Sequence, residues 1–70
     1  MKQMVDVVVN GELRQIADGA TLLEVLAELA LDPRAVVVEH NRRIVRGPGL
    51  ADVTVAAGDA IELVHFVGGG

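Results

Sequence analysis

Few residues of this 70-residue chain can do chemistry, and the most pointed of them are its last three, Gly68-Gly69-Gly70. A terminal α-carboxylate has an ordinary pKa of about 3.3–3.7, so at neutral pH it is ionised and can act as a nucleophile without tuning. Its difficulty is access to a site closed enough to keep water from a reactive intermediate. Glycines lack Cβ atoms, make the thinnest possible chain and open φ values closed to other residues. Val67 to Gly70, fully extended, reach at most about 13–14 Å at ~3.3–3.6 Å per residue, enough to cross one active-site wall. A glycine triplet alone fits a frayed terminus equally well; here it continues directly from a strand-like segment.

Other candidates are weaker. His40 and His65 titrate near neutrality as a residue type, yet the sequence sets no cluster of Asp, Glu or Cys beside them, so His40 reads as a solvated turn residue and His65 as a local packing residue. Arg42, Arg43 and Arg46 form a small basic group that reads as a solvated loop. The chain has no cysteine, which removes disulfides, thiolate metal sites and a Cys nucleophile. With no metal cluster and no phosphate loop, nothing resembles a catalytic centre. The expectation is a protein that is not an enzyme and binds no cofactor or metal.

Composition narrows the partners. Of the residues, 51% are hydrophobic, Phe66 is the only aromatic, and the net charge is −4. Stacking on nucleic acid needs aromatic rings and a basic surface, and a net negative domain is repelled by phosphate backbones and anionic lipid heads. Proteins are therefore the expected partners, with no nucleic acid and no membrane. No stretch approaches the ~20 apolar residues of a membrane span, and the N-terminus lacks a signal-peptide pattern; the expected location is the cytoplasm.

The elements that must position the tail can be read in order. Met4 to Val9 is a β-branched run ending at Asn10-Gly11, which suits a type I′ hairpin turn back along Glu12 to Ile16. Thr21 with Glu24 forms a capping box that opens a helix. Leu22, Val25, Leu26, Leu29 and Ala30 fall on one face of that helix, which is expected to run until Asp32-Pro33 stops it. Val36-Val37-Val38 reads as a strand, turning at His40 to Arg43 into a short Ile44-Val45 strand. Gly47-Pro48-Gly49 is a loop pinned by Leu50, Val53 and Val55, and Gly58-Asp59 turns into a last strand over Ala60 to Val67. One helix cannot cover two faces of a sheet, so an α+β roll is expected: a mainly antiparallel sheet over a single helix, one face left open.

In the last strand Glu62, Val64 and Phe66 share a face and Ile61, Leu63 and His65 share the other. Glu62 marks its face as solvent-accessible. That makes Val64 and Phe66, with Val67 beside the tail, the candidate partner-binding residues; the competing reading places a lone Phe in the core.

Val9-Asn10-Gly11-Glu12, Gly19-x-Thr21-Leu22-x-Glu24-x-Leu26, Asn41-x-x-Ile44-Val45, Gly58-Asp59 and the ending Val64-His65-Phe66-Val67-Gly68-Gly69-Gly70 together resemble the ThiS family, ubiquitin-like sulfur carriers of thiamine biosynthesis, across essentially the whole chain. The resemblance implies a β-grasp fold with a mixed sheet of about five strands on one main helix, a domain over residues 1–67 and a flexible reactive tail over 68–70. It implies that a ubiquitin-activating-like adenylyltransferase (ThiF-like) uses ATP to adenylate the carboxylate of Gly70. Sulfur from a donor such as a cysteine desulfurase then gives a thiocarboxylate, which thiazole synthase (ThiG-like) accepts. ATP is consumed by that partner and not held by this chain. Gly68 departs from the family pattern by adding a third glycine. A molybdopterin synthase small subunit-like carrier, a ubiquitin-like protein modifier and a plain interaction module are the alternatives.

Overall fold

The computed structural model describes residues 3–66. The chain runs β1 (Met4–Val9), β2 (Glu12–Ala17), α1 (Leu22–Glu28), β3 (Val36–His40), β4 (Arg43–Val45), a 3₁₀ turn (Gly47–Ala51) and β5 (Ala60–His65). The strands form one sheet in the order β2-β1-β5-β3-β4. The last strand is therefore the central one. It lies parallel to β1 and antiparallel to β3, while the two hairpins are antiparallel.

Local sequence explains most of these elements. Asn10 and Gly11 have φ of 49° and 80°, the pair of positive values that a type I′ turn requires. Thr21 caps α1: its Oγ1 accepts from the Glu24 amide at 3.1 Å, and Glu24 Oε1 accepts from the Thr21 amide at 2.9 Å. Such a cap stabilises a helix by about 1 kcal/mol, which matters for an element of only seven residues.

The helix ends earlier than the proline suggests. Its last residue is Glu28, Ala30 takes a left-handed φ of 59°, and the Leu31 and Ala30 amides donate back to the carbonyls of Leu26 and Ala27. This is a Schellman ending. It turns Ala30 to solvent, correcting its expected place on the buried face, and brings Leu31 against the core.

Val25, Leu22 and Leu26 from α1 meet Val7, Ile16, Val38 and Ile61 from the sheet, each at most 2% exposed. Replacing any of the buried leucines with alanine is expected to cost about 2–5 kcal/mol. Leu50 and Val55, both 2% exposed, close the side of this core from the long connection before β5. Backbone bonds from Leu22 to Val53 and from Val55 to Ala20 tie that connection to the start of the helix.

Candidate functional site

β5 carries the chain from the middle of the sheet toward the glycine run. Its last described backbone bond, from the Phe66 amide to the Ala35 carbonyl at 2.9 Å, fixes the root of the tail to the residue before β3. Val67, Gly68, Gly69 and Gly70 lie outside the described residues, as does the expected boundary between domain and tail.

The two faces of β5 separate as the period of two requires. Ile61 and Leu63 are 1% and 8% exposed, whereas Val64 and Phe66 are each 61% exposed. Phe66 is thus a surface residue, and the reading that put it in the core is excluded. Val64 stands opposite Val37 across β3. Ile44 on β4, 62% exposed, stands opposite Glu39 and therefore on the same open face. Sequence reasoning did not include Ile44, because its face depends on the pairing register of a three-residue strand.

Phe66, Val37 and Ile44 also line a groove of about 440 Å³ together with Leu23, Leu50, Arg34 and Arg46. Arg34 is held by Asp32 through a 3.2 Å ion pair, both side chains largely exposed. The Asp32 carboxyl lies below its ordinary range, first because of the Arg34 side-chain hydrogen bonds and then because of the Arg34 backbone amide. Arg42, Arg43 and Arg46 are exposed, as expected of a solvated group.

His65 ends β5 in an exposed position. His40 differs from expectation: its side chain is 17% exposed and its Nε2 lies 2.7 Å from Asp59 Oδ2. A carboxylate does stand beside it, brought from a distant turn. Burial raises the Asp59 pKa, but the Ala56 amide, His40 and Asn41 together outweigh it and hold the carboxyl below its ordinary value. The clamp sits at the start of β5, opposite the end that bears the tail. Among the described residues no three His, Cys, Asp or Glu side chains gather to hold a metal ion, and no helix is long and apolar enough to cross a membrane.

A five-stranded mixed sheet with a parallel central pair and one helix on one face defines a ubiquitin-like β-grasp protein. Residues 7–70 match the ThiS family, and the chain belongs to that family. It is 40% identical over 53 residues to the sulfur carrier protein ThiS of Bacillus subtilis, a match covering 76% of this chain and 80% of that protein. It is 44% identical over 63 residues to a thiazole synthase of Paramagnetospirillum magneticum, covering 90% of this chain. The chain spans 19% of the length of that synthase, and also of the 39%-identical thiazole synthase of Magnetococcus marinus. The crystal structure of the thiamine biosynthesis protein ThiS from Geobacter metallireducens superposes with a TM-score of 0.82 at 30% identity, covering 94% of this chain and all of that one.

Proposed function

We propose that this chain is a sulfur carrier for thiamine biosynthesis and that the Gly70 carboxylate bears the sulfur. The observation that carries the reading is its likeness to the Bacillus subtilis sulfur carrier along 80% of that protein's length, with the family match reaching Gly70 itself. In this reading the carboxylate oxygen attacks the α-phosphate of ATP within an adenylating enzyme and pyrophosphate leaves. The outer sulfur of a persulfide, supplied by a donor such as a cysteine desulfurase, then displaces AMP to give an acyl disulfide. A second thiol on the donor side cleaves its S–S bond, leaving the thiocarboxylate on Gly70 and a disulfide between the two thiols. Thiazole synthase takes that sulfur, and the carrier returns as its carboxylate. The protein is a cytoplasmic cosubstrate that is recycled, and it holds no cofactor of its own.

The fold supports each requirement. A tail on the central strand has the sheet as a rigid base, and its root is anchored by the Phe66 amide. Gly68 and Gly69 keep the tail thin enough to enter a closed site, while Val64 and Phe66 offer an apolar surface to the enzyme around it.

The test is intact-mass analysis after incubation with the adenylating enzyme, ATP and a sulfur source. Exchange of one terminal oxygen for sulfur is the expected result, and a chain extended by one residue beyond Gly70, or lacking Gly69 and Gly70, should release no pyrophosphate. A lysine-linked conjugate in place of the exchange would make the protein a modifier. Adenylation of the extended chain at the parent rate would remove Gly70 from the reaction.

A further inference from the structure

The open face of the sheet carries a charge arrangement that the fold does not need. Glu39 on β3 and Glu62 on β5 are direct cross-strand partners, and both side chains point away from the helix because their neighbours Val38, Ile61 and Leu63 point into the core. Directly opposed residues have Cβ atoms only about 4.5–5.5 Å apart, and like charges so placed destabilise a sheet. Ile44 flanks Glu39 on its other side, and the Val37–Val64 pair forms the next row.

Among the described residues no cation forms an ion pair with either carboxylate. Of the six basic residues, Arg14 and Arg43 are opposite the core-side residues Val7 and His40 and so point to the helix side. Arg34, Arg42 and Arg46 lie in turns and connections, and Lys2 lies outside the described residues. The face is therefore acidic at its centre and apolar around it. A local rule broken without compensation inside the fold is expected where a surface serves binding.

We propose that Glu39 and Glu62 together receive an arginine or lysine of thiazole synthase, with Ile44 and Val64 packing around it. The proposal rests on the sulfur-carrier reading above. Charge selects the chemistry of the occupant: phosphate-bearing surfaces are repelled, and a two-fold contact with a second copy would set these carboxylates against themselves. A guanidinium, whose forked donors match two acceptors, relieves the repulsion instead. The identity of the occupant follows from the relatives. Two thiazole synthases contain a segment like this domain within their own chains, so in those proteins this fold and the synthase are physically joined. Charge complementarity of this kind also speeds encounter and fixes the register in which the tail is presented.

The test is isothermal titration of the full chain with thiazole synthase at low and high salt, using the parent, the double variant Glu39→Gln/Glu62→Gln and Val64→Asp, each checked by thermal melting. The double variant should melt at or above the parent temperature, because repulsion is removed, yet bind about tenfold more weakly at low salt. That difference should shrink as salt rises. Opposite signs in folding and binding are what a merely structural pair would not produce. If the double variant binds within about twofold of the parent while Val64→Asp binds poorly, the face docks through its apolar residues and the carboxylate pair has no role. If the double variant melts below the parent, the pair supports the fold and the proposal fails. If the parent itself does not bind the synthase, both this proposal and the partner reading beneath it fall.

Discussion

His40 Nε2 lies 2.7 Å from Asp59 Oδ2, joining residues 19 apart in sequence. Asp59 Oδ2 also accepts from the Ala56 amide at 2.9 Å, and Asp59 Oδ1 accepts from Asn41 Nδ2 at 3.2 Å. Asn41 Oδ1 in turn accepts from the Ala60 amide at 2.9 Å. One carboxylate and one amide thus fasten the β3–β4 turn to the start of the strand that leads toward the glycine run.

This clamp makes stability depend on acid. The Asp59 carboxyl sits below its ordinary value in the folded protein: burial alone would raise it, and the Ala56, His40 and Asn41 bonds outweigh that effect. A depressed carboxyl contributes stability that is present above its unfolded pKa of about 3.9 and is lost as pH falls through the folded value. Asp59→Asn should therefore be less stable than the parent at pH 7, by about 1–3 kcal/mol, or some 4–8 °C in melting temperature per kcal/mol for a domain of this size. The gap should narrow below about pH 4. Melting curves at neutral and acidic pH check this; a gap that stays constant into acid would show that the charge is not its source.

Asn10 provides a second device for β5. Strand β1 ends at Val9 and pairs with β5 only through Ala60 and Ile61. Beyond that point the Asn10 side chain takes over, accepting from the Leu63 amide at 2.7 Å and donating to the Leu63 carbonyl at 3.2 Å. Asn10→Gly keeps a turn residue that tolerates positive φ but removes both bonds, and should cost about 1–3 kcal/mol. Hydrogen exchange should show the Leu63 amide less protected in this variant. Unchanged protection would mean that the strand holds itself without the side chain.

The devices at β5 mark the limit of what the sequence makes legible. Asn10-Gly11, the Thr21–Glu24 box and the alternation of β5 are local patterns, and each is realised where the pattern places it. The helix end is not legible in the sequence because the left-handed position is filled by Ala30, which carries no glycine signal, while Pro33 three residues on is the stronger local stop. The His40–Asp59 clamp, the Asn10–Leu63 bonds and the Glu39–Glu62 pairing join residues 19, 53 and 23 apart. Such contacts follow from strand order and register, which periodicity within one strand does not contain.

Phe66→Asp tests the apolar surface at the tail's root. At 61% exposure the side chain should leave the fold within about 0.5 kcal/mol of the parent, so thermal melting should be nearly unchanged. Binding to the adenylating enzyme should weaken, since a carboxylate placed in an apolar contact must be desolvated without a partner. A fall in stability of about 3–5 kcal/mol, the cost of losing a core Phe, would show instead that the ring supports the fold.

The two hairpin turns differ in one residue type at the same backbone position, and this yields a prediction of opposite sign. Asn41 and Arg42 have φ of 49° and 71°, nearly repeating the 49° and 80° of Asn10 and Gly11. A side chain held in the left-handed region costs about 1–2 kcal/mol, offset in part by the ~0.5–1 kcal/mol that a glycine loses in unfolded-chain entropy. Arg42 is exposed, so its removal forfeits no core packing. Arg42→Gly should therefore stabilise the domain by about 0.5–1 kcal/mol and raise its melting temperature by a few degrees. Gly11→Arg should lower it by a similar amount, and the loss would reflect backbone strain alone, because a Cβ added at Gly11 meets nothing within 4 Å. If Arg42→Gly melts below the parent, the arginine contributes more to the fold than its turn geometry costs, and the equivalence of the two turns does not hold.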